Sequence, residues 1–299
     1  MRKGIITADW HLRSTVPQCC SNPRGEWMEI QRSAVGRVVE LAIENDADVF
    51  IVGDLFHNAS EVSFECLDIV LDAADLLNSR CGRKFHYIAG NHDLKNHSIT
   101  NLKDSACGIL SYSPNCVLLD NVSAGKVLGD AGASSFGSEP ADRELVFMHV
   151  LCVPDKPDFV DCETPGTLAG RFSKARGMFL GDYHRKFAVM SKNSSGGDCL
   201  VLNPGCLTVQ ASDFEDYEPS VYLVDFDDLS PSSVRELPVP VDGQRFVLDR
   251  GGKLKDESVE VFVEAVRNSE GMTLDYVSNL KNAVLAESGD VRAKVESWV

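Results

Sequence analysis

The sequence predicts an α/β protein in which a largely parallel sheet is covered by helices. Two observations predict this fold. Short, continuously apolar runs, which are typical of strands buried on both faces, alternate with longer segments of helical periodicity over residues 4–89. The resulting order, β-α-β-α-β, favours parallel strands with helices outside the sheet. At 299 residues the chain is long enough for one large domain or two smaller ones.

The segment 4–89 contains three predicted strands and two predicted helices. In the first helix, apolar residues recur with a spacing close to 3.6 residues, at Trp27, Ile30, Ala34, Val38 and Leu41. The second helix repeats this pattern. The strands are predicted at 4–8, 48–52 and 85–89, and the helices at 26–45 and 61–79.

The middle of the chain is predicted to add further strands and one helix. The turn at 191–198 is rich in Ser, Asn and Gly, so the two strands that flank it are expected to form a hairpin. A long connection rich in Pro, Asp and basic residues is expected at 152–176. A helix is predicted near 101–112, and strands are predicted at 116–119, around 125–136 (two strands), at 145–149, at 177–181 and at 220–226.

A domain boundary is predicted at 227–233, where Asp, Ser and Pro replace the apolar runs. A strand-like patch and two helical patterns follow, at 234–248, 256–268 and 273–297. We therefore expect a main domain at 1–226 and a small C-terminal α+β extension at 234–299.

Composition limits the classes of function. The formal net charge of −16 argues against broad, non-specific affinity for polyanions such as nucleic acid. No apolar run is long enough to span a membrane, and no signal-peptide pattern opens the sequence, so we expect a cytoplasmic protein. In that compartment the ten cysteines are expected to be reduced and mostly buried thiols.

Five of the predicted strands end in side chains that commonly bind metal ions, and each of these side chains directly follows an apolar run. In a parallel α/β sheet, binding sites form outside the carboxyl ends of the strands. We therefore expect the five ends to converge on a two-metal site for cutting phosphate esters. The residues are Asp9, His11, Asp54, Asn91, His92, His149, Asp182 and His184.

The residue types indicate which ions would bind and how they would act. Oxygen-rich sites with a few imidazoles suit Mn²⁺, Mg²⁺ or Fe²⁺, whereas more imidazole and thiolate would suit Zn²⁺. Two neighbouring cations need one shared carboxylate, and Asp54 is the expected bridge because it follows Gly53 on the central run. The cations would activate a hydroxide, and a histidine is suited to protonate the leaving oxygen.

These motifs resemble the calcineurin-like metallophosphoesterases over about residues 1–226. The blocks that carry the resemblance are Asp9-x-His11, Gly53-Asp54, Gly90-Asn91-His92-Asp93, His149 and Asp182-x-His184. The resemblance implies a sandwich of two mixed β-sheets flanked by helices, with residues 234–299 as a capping or docking region. Two stretches look like the Mre11/SbcD nuclease branch, including its phage members: Gly53-Asp-Leu-Phe-His57 and Asn203-Pro-Gly-Cys-Leu207.

The resemblance also implies roles for individual residues. His92 would be the acid or transition-state stabiliser beside the phosphate, and His57 would help to place the phosphate or a strand end. The first metal would be held by Asp9, His11, Asp54 and His184, and the second by Asp54, Asn91, His149 and Asp182.

One position departs from the family pattern. The family usually has Gly-His-x-His where this sequence has Gly181-Asp182-Tyr183-His184. A carboxylate adds negative charge, so we expect a harder cation, Mn²⁺ or Mg²⁺ over Zn²⁺. In the alternative interpretation, Asp182 is a turn residue and the second metal site is weak.

Several nearby residues have less specific interpretations. Arg185 could contact phosphate or equally begin a solvated strand, and His97 is either an exposed loop histidine or a substrate contact. Asp93 is expected to orient His92 by a hydrogen bond, and Trp10 is expected to pack beneath the site. The best local candidates for contact with a nucleic-acid backbone are Arg171, Lys174 and Arg176.

Three functions remain open on the sequence. The leading hypothesis is a metal-dependent DNA exonuclease with two divalent cations, Mn²⁺ first. The resemblance implies an SMC-type ATPase partner of the SbcC/Rad50 kind, and a homodimer is a further option. The first alternative is a phosphodiesterase or phosphatase for small substrates, which the acidic balance favours. The second is a catalytically silent scaffold, against which the complete ligand set argues.

Overall fold

A computed structural model of the chain describes residues 3–119, 144–155, 162–209 and 217–246. The strands are β1 (Lys3–Thr7), β2 (Asp48–Val52), β3 (Phe85–Ile88), β4 (Cys116–Leu118), β5 (Leu145–His149), β6 (Gly177–Gly181), β7 (Phe187–Lys192), β8 (Asp198–Asn203), β9 (Ser220–Asp225) and β10 (Arg235–Pro238). The α-helices are α1 (Arg24–Asn45), α2 (Phe64–Cys81), α3 (Ala106–Leu110) and α4 (Pro165–Ala169). Short 3₁₀ turns lie at Lys95–His97, Ile99–Asp104 and Pro231–Ser233.

The strands form two mixed sheets. The first has the order β10-β9-β1-β2-β3-β4, in which β1 to β4 are parallel, β9 is antiparallel to β1, and β10 is antiparallel to β9. The second has the order β5-β6-β8-β7, in which only β7 is antiparallel to its neighbour. The expected sandwich of two mixed sheets flanked by helices is therefore confirmed.

Alternate side chains of the central strands face different layers. In β2, Val49 and Ile51 join the cluster shared with α1 and α2, whereas Phe50 and Val52 join the cluster between the sheets. In β6, Phe179 faces the first sheet, and its neighbours along the strand pack with α4. The layers are therefore α/β/β/α. Because both faces of each central strand are covered, most residues of these strands are apolar.

Two sequence predictions need correction. The helix expected near 101–112 is a 3₁₀ turn followed by the short α3, because Ser105 ends the turn and caps α3 by accepting from Gly108 N at 3.1 Å. The connection at 152–176 contains α4, which was not predicted. Thr164 caps this helix and Pro165 occupies its first turn, a combination that typically begins a helix.

The C-terminal part is described only as far as residue 246. The first residues beyond the predicted boundary at 227–233 belong to the first sheet, because β10 pairs with β9. The described residues all lie in one compact unit, and the boundary itself and the extension at 234–299 stay predictions. The strands expected around 125–136 and the helices at 256–268 and 273–297 lie outside the described residues. No helix within the described ranges has the length and apolar character that crossing a membrane requires.

Candidate metal centre

Five strand ends from both sheets meet at one edge of the sandwich. The loops after β1, β2 and β3 come from the first sheet, and the end of β5 and the loop after β6 come from the second. Three sets of side chains place their ligand atoms within 4.8 Å of one another: Asp9, His11 and His184; Asp9, Asp54 and His149; and His11, His57 and His92. This is the convergence that a shared parallel strand direction produces.

Four of the predicted ligands have left-handed backbone conformations. The φ angle is 50° at Asp9, 44° at His11, 50° at Asp54 and 85° at Asp182. Only two other non-glycine residues in the described ranges have positive φ. Such conformations cost of order 1–3 kcal/mol each and persist where the surrounding structure holds them. Their concentration in four metal-type side chains indicates a functional site.

Two glycines allow the ligands to approach closely. Gly53 has a φ of 85°, and a Cβ at this position would collide with the His149 ring. A Cβ at Gly90 would collide with the Asp54 carboxylate. Because glycine has no Cβ, the loop after β3 can lie directly on Asp54, and the end of β5 can lie directly on the loop after β2.

His149 lies at the centre of one ligand group. Its Nε2 is 3.0 Å from Asn91 Oδ1, 3.3 Å from Asp54 Oδ2, 3.8 Å from Asp182 Oδ1 and 4.0 Å from Asp9 Oδ1. Ligands at about 2.0–2.1 Å from one octahedral Mg²⁺-sized ion lie about 3 Å from their neighbours. One nitrogen surrounded by four oxygens at these separations therefore fits a hard divalent cation.

The hydrogen bonds of His149 fix the state of its ring. Nδ1 is 2.8 Å from the carbonyl oxygen of Val52, and because a carbonyl oxygen only accepts, Nδ1 carries a proton. Burial acts to lower the pKa of His149, but the carboxylates of Asp54, Asp9 and Asp182 outweigh it and raise that pKa, so Nε2 also carries a proton in the metal-free chain. A cation would take the place of this proton between Nε2 and the oxygens, and a backbone carbonyl is the kind of partner that orients metal-binding histidines.

His11 and His184 form the second ligand group. Their Nε2 atoms are 3.1 Å apart, and His11 Nε2 is 3.6 Å from Asp54 Oδ2. Burial lowers the pKa of both imidazoles, so both rings are neutral and each offers one lone pair. The same Oδ2 atom of Asp54 also lies beside His149, so Asp54 reaches both groups, as a bridging carboxylate must.

The buried carboxylates of the site need positive charge. Asp9 is 0 % exposed and Asp54 is 1 % exposed. Burial raises the pKa of Asp9 well above its ordinary value, and the charge of His149 opposes this rise. Burial also acts to raise the pKa of Asp54, but the charge and hydrogen bond of His149 outweigh it and lower that pKa. One histidine cannot balance the carboxylates around it, and divalent cations would supply the missing charge.

His92 stands beside the ligand groups and is held by backbone atoms. Its Nδ1 is 2.8 Å from the carbonyl oxygen of His57, so Nδ1 carries a proton. Its own backbone N–H donates to Asp54 Oδ1 at 2.9 Å. The rings of His57 and His92 stack with centroids 5.3 Å apart. The second ring nitrogen, Nε2, is therefore the atom with which His92 could exchange a proton with a substrate.

Arg13 is a part of this site that the sequence did not reveal. Its Nη1 donates to His57 Nε2 at 2.7 Å. Burial and the charge of Arg13 lower the pKa of His57 to about 4, so the His57 ring is neutral and accepts from Arg13. Gln31 holds the arginine by its backbone, accepting from Arg13 N at 3.0 Å and donating to Arg13 O at 2.9 Å. The arginine follows His11 by two residues, and none of the motifs identified in the sequence includes that position.

Comparison with known proteins identifies the family. Residues 3–169, more than half of the chain, match the sequence model of the calcineurin-like phosphoesterases. The chain belongs to this family. The matched segment of this metallophosphoesterase includes Asp9, His11, Asp54, Asn91 and His149.

Two solved structures resemble this metallophosphoesterase at low sequence identity. A dimetal phosphatase from Danio rerio has a TM-score of 0.45 and 11% identity, with 80% of this chain and 99% of that chain covered. A putative 5′-nucleotidase from Staphylococcus aureus, in complex with α-ketoglutarate, has a TM-score of 0.40 and 15% identity, with 87% of this chain and 58% of that chain covered. A comparison with curated proteins finds no match.

Asp93 has a different role from the one expected. It does not orient His92, which is bound by a carbonyl instead. Its carboxylate accepts from the backbone N–H groups of Leu55 at 3.1 Å, Phe56 at 2.9 Å and Gly90 at 2.9 Å. Burial raises the pKa of Asp93 to about 7. Asp93 therefore ties the loop after β2 to the loop after β3, and so supports the ligands that both loops carry.

The structure gives different outcomes for the other predicted residues. Arg185 is exposed in the turn after the last ligand, so its predicted contact with phosphate stays a prediction. The backbone of His97 forms part of a 3₁₀ turn, and its side chain lies outside the described part of the structure. Arg171 is exposed and pairs with the buried carboxylate of Glu163, and its predicted contact with a nucleic-acid backbone stays a prediction. Trp10 is fully buried, as expected.

The stretch 203–207 supports the last strand end of the site. Asn203 Nδ2 donates to the carbonyl oxygens of Tyr183 at 2.5 Å and Arg185 at 2.8 Å. Cys206 N donates to the carbonyl oxygen of His184 at 3.1 Å. These bonds hold the turn 182–185 on both sides of His184. The stretch 203–207, although distant in sequence from the other motifs, therefore supports a residue of the site.

Proposed function

We propose that this metallophosphoesterase is a DNA exonuclease of the Mre11/SbcD type. The observation that carries the proposal is the position of His57, the last residue of the stretch 53–57 that resembles this branch. Its carbonyl oxygen binds His92 Nδ1 at 2.8 Å, and its ring stacks on the His92 ring. His57, which belongs to the stretch that resembles this branch, thus contacts His92, the histidine suited to protonate the leaving oxygen. The second branch-like stretch, 203–207, holds the turn that carries His184.

The site would be completed by two divalent cations, Mn²⁺ first, with Mg²⁺ or Fe²⁺ as alternatives. Oxygen donors outnumber imidazoles around His149, which favours hard cations. When bound, such cations polarise the phosphoryl oxygens and lower the pKa of the attacking water. One would be held by Asp9, His11, Asp54 and His184, and the other by Asp54, Asn91, His149 and Asp182.

The residues of the chain orient the ester and move the proton. Asp54 accepts from the backbone N–H of His92 at 2.9 Å, which fixes the acid relative to the bridging ligand. His92, with Nδ1 bound to a carbonyl, gives the proton on Nε2 to the leaving oxygen. His57 is neutral and held by Arg13, so it places His92 and does not itself act as the acid. Acid catalysis of this kind contributes about 10²–10⁴-fold.

A partner protein would supply what the acidic chain lacks. The net charge of −16 opposes an unaided grip on DNA. An SMC-type ATPase of the SbcC/Rad50 kind would bring a positively charged surface and a DNA clamp, and two copies of this chain would pair in the assembly. The cytoplasm is the proposed location, since all ten cysteines are free thiols and nine of them are buried.

A small-substrate phosphodiesterase or phosphatase is the second candidate. The net charge favours it, because an acidic protein repels a polyanion more strongly than it repels a single phosphate ester. Such an enzyme would use the same ligands and the same His92, and it would need no ATPase partner. A silent scaffold is disfavoured because both ligand groups are complete.

Hydrolysis by the purified, Mn²⁺-loaded protein tests the proposal. The substrates are end-labelled linear DNA, closed circular DNA and bis-p-nitrophenyl phosphate, and Asp54→Asn, which weakens the bridge, is the inactive control. An exonuclease degrades the linear DNA and spares the circles. Cleavage of the small diester with all DNA intact, both alone and with an added SMC-type ATPase, would move the assignment to the small-substrate enzyme.

A further inference from the structure

A depression beside the metal centre has the form of a second binding site. Its volume is about 300 Å³, and it lies between the loop after β2 and the loop after β3. The residues that line it include Asn58, Ser60, Asn91, His92, Lys95 and Asn96. Because Asn91 and His92 also belong to the metal centre, the two sites are contiguous, and His92 stands where they join.

The chemistry of this depression favours a polar anion. None of the residues that line it carries a carboxylate, although Asp and Glu outnumber Lys and Arg by 45 to 29 in the sequence. The amides of Asn58 and Asn96 and the hydroxyl of Ser60 can both donate and accept hydrogen bonds. The ammonium group of Lys95 supplies positive charge. Although the protein is acidic as a whole, the lining of this depression beside His92 thus contains no acidic side chain.

Lys95 is anchored by its backbone while its side chain is exposed. Its carbonyl oxygen accepts from Asn101 Nδ2 at 2.8 Å and from Ser98 N at 3.4 Å. The following residue, Asn96, has a left-handed φ of 56°, so this turn holds a conformation that costs free energy. Within the described ranges no carboxylate pairs with Lys95, whereas Lys186 is paired with a glutamate. Lys95 therefore presents an unneutralised charge from a fixed turn.

We propose that this depression binds the leaving-group nucleotide of the substrate, and that Lys95 contacts the phosphate next to the one that is cleaved. This inference rests on the proposed phosphodiesterase function. In that reaction water loses a proton to the solvent and adds to phosphorus as hydroxide, the bond from phosphorus to the leaving oxygen breaks, and the proton of His92 goes to that oxygen. The leaving group must therefore lie on the side of His92, where the depression opens.

The size of the depression narrows the class of substrate. A volume of about 300 Å³ is at the lower end of ligand sites and suits one nucleotide, not a duplex. The amides and the hydroxyl would bind the sugar and base edges, and Lys95 would bind the second phosphate. The substrate class is then a diester whose leaving group carries a further phosphate, such as the end of an oligonucleotide, and not the ester of a small alcohol.

Binding of thymidine 3′,5′-bisphosphate tests this assignment without requiring turnover. Isothermal titration calorimetry on the Mn²⁺-loaded full chain compares this ligand with thymidine 5′-monophosphate. We expect the bisphosphate to bind about tenfold more tightly, a difference of about 1.4 kcal/mol. Lys95→Ala should remove this advantage and leave the monophosphate affinity unchanged, and Lys95→Arg should keep most of it. Lys103→Ala, which removes an exposed lysine from the next turn, is the matched control.

The outcomes separate this inference from the exonuclease proposal. Equal affinities for the two ligands in the wild-type protein, or equal losses in Lys95→Ala and Lys103→Ala, would overturn the assignment of the depression. If the bisphosphate preference depends on Lys95 and linear DNA is not cut, the depression is a nucleotide site and the exonuclease proposal fails. If linear DNA is cut and Lys95→Ala changes neither affinity, the exonuclease proposal stands and the assignment of the depression fails. The Lys95 effect should also weaken as salt is added, because an exposed charge is screened.

Discussion

Replacing His92 by alanine should separate proton transfer from metal binding. The backbone N–H of residue 92 donates to Asp54 Oδ1 at 2.9 Å, and this bond survives the substitution. The side chain contributes the Nδ1 bond to the His57 carbonyl and the stack on the His57 ring. The variant should therefore fold and keep its cations, and it should lose only the proton donor.

The size of the loss depends on the leaving group. Acid catalysis contributes about 10²–10⁴-fold, or about 2.7–5.5 kcal/mol of barrier. A nucleoside oxygen needs a proton in order to leave, whereas p-nitrophenolate leaves readily without one. We therefore expect His92→Ala to lower kcat by about 10²–10⁴-fold on a short thymidine oligonucleotide, whose leaving group carries a further phosphate, and by less than about tenfold on bis-p-nitrophenyl phosphate.

The assay follows both substrates with the same Mn²⁺-loaded preparation. Metal content by mass spectrometry and the urea midpoint are measured on each variant. His86→Ala is the control, because His86 stacks on Phe50 with centroids 4.7 Å apart and belongs to none of the ligand groups. Equal losses on both substrates would refute the acid role of His92. Loss of metal from His92→Ala would refute the view that backbone bonds, and not the ring, support the ligands.

Three further perturbations test other parts of the site. Arg13→Ala removes the donor to His57 and should lower kcat about tenfold with little change in KM. Arg13→Lys, or guanidinium added to Arg13→Ala, should restore part of the rate in steady-state kinetics. If neither restores it, Arg13 does not act by positioning His57. Asp182→His should shift the metal preference from Mn²⁺ toward Zn²⁺ without abolishing turnover, and an unchanged profile in metal titrations would mean that residue 182 is not a ligand. Gly53→Ala places a side chain at a φ of 85° and against an imidazole, so the free energy of unfolding in urea should fall by about 3 kcal/mol or more. Gly36→Ala, in α1 with open space around it, should be neutral or stabilising, and similar stabilities of these two variants would contradict the packing at Gly53.

The strands and the site they form were predictable because two local signals coincide at each strand end. The expected strands at 48–52, 145–149 and 177–181 agree residue for residue with β2, β5 and β6. Their apolar runs are continuous because each strand lies between two covered faces. A polar metal-type side chain directly after such a run marks the carboxyl end of a parallel strand, and this pattern requires no knowledge of distant contacts.

Contacts between distant loops were not predictable in the same way. Arg13 and His57 are 44 residues apart, and neither periodicity nor spacing connects them. Asp93 follows His92 in sequence, which suggested a contact with that ring. The Asp93 carboxylate instead accepts hydrogen bonds from three backbone amides. The short helix α4 did carry a local signal, since Thr164 followed by proline typically begins a helix, but five residues are too few to show a period.

The ligands of the metal centre come from both sheets, so bound cations would cross-link segments that are distant in sequence, and this cross-link would be reversible. His11 and His184 are separated by 173 residues, and Asn91 and His149 by 58 residues. Ions bound to these pairs would close long loops, and the chain entropy removed by closing a loop grows with the logarithm of its length. A disulfide stabilises a fold in the same manner but needs an oxidant to form. We therefore expect the free energy of unfolding to depend on the supply of divalent cations, and a chelator to lower it without any change in redox conditions.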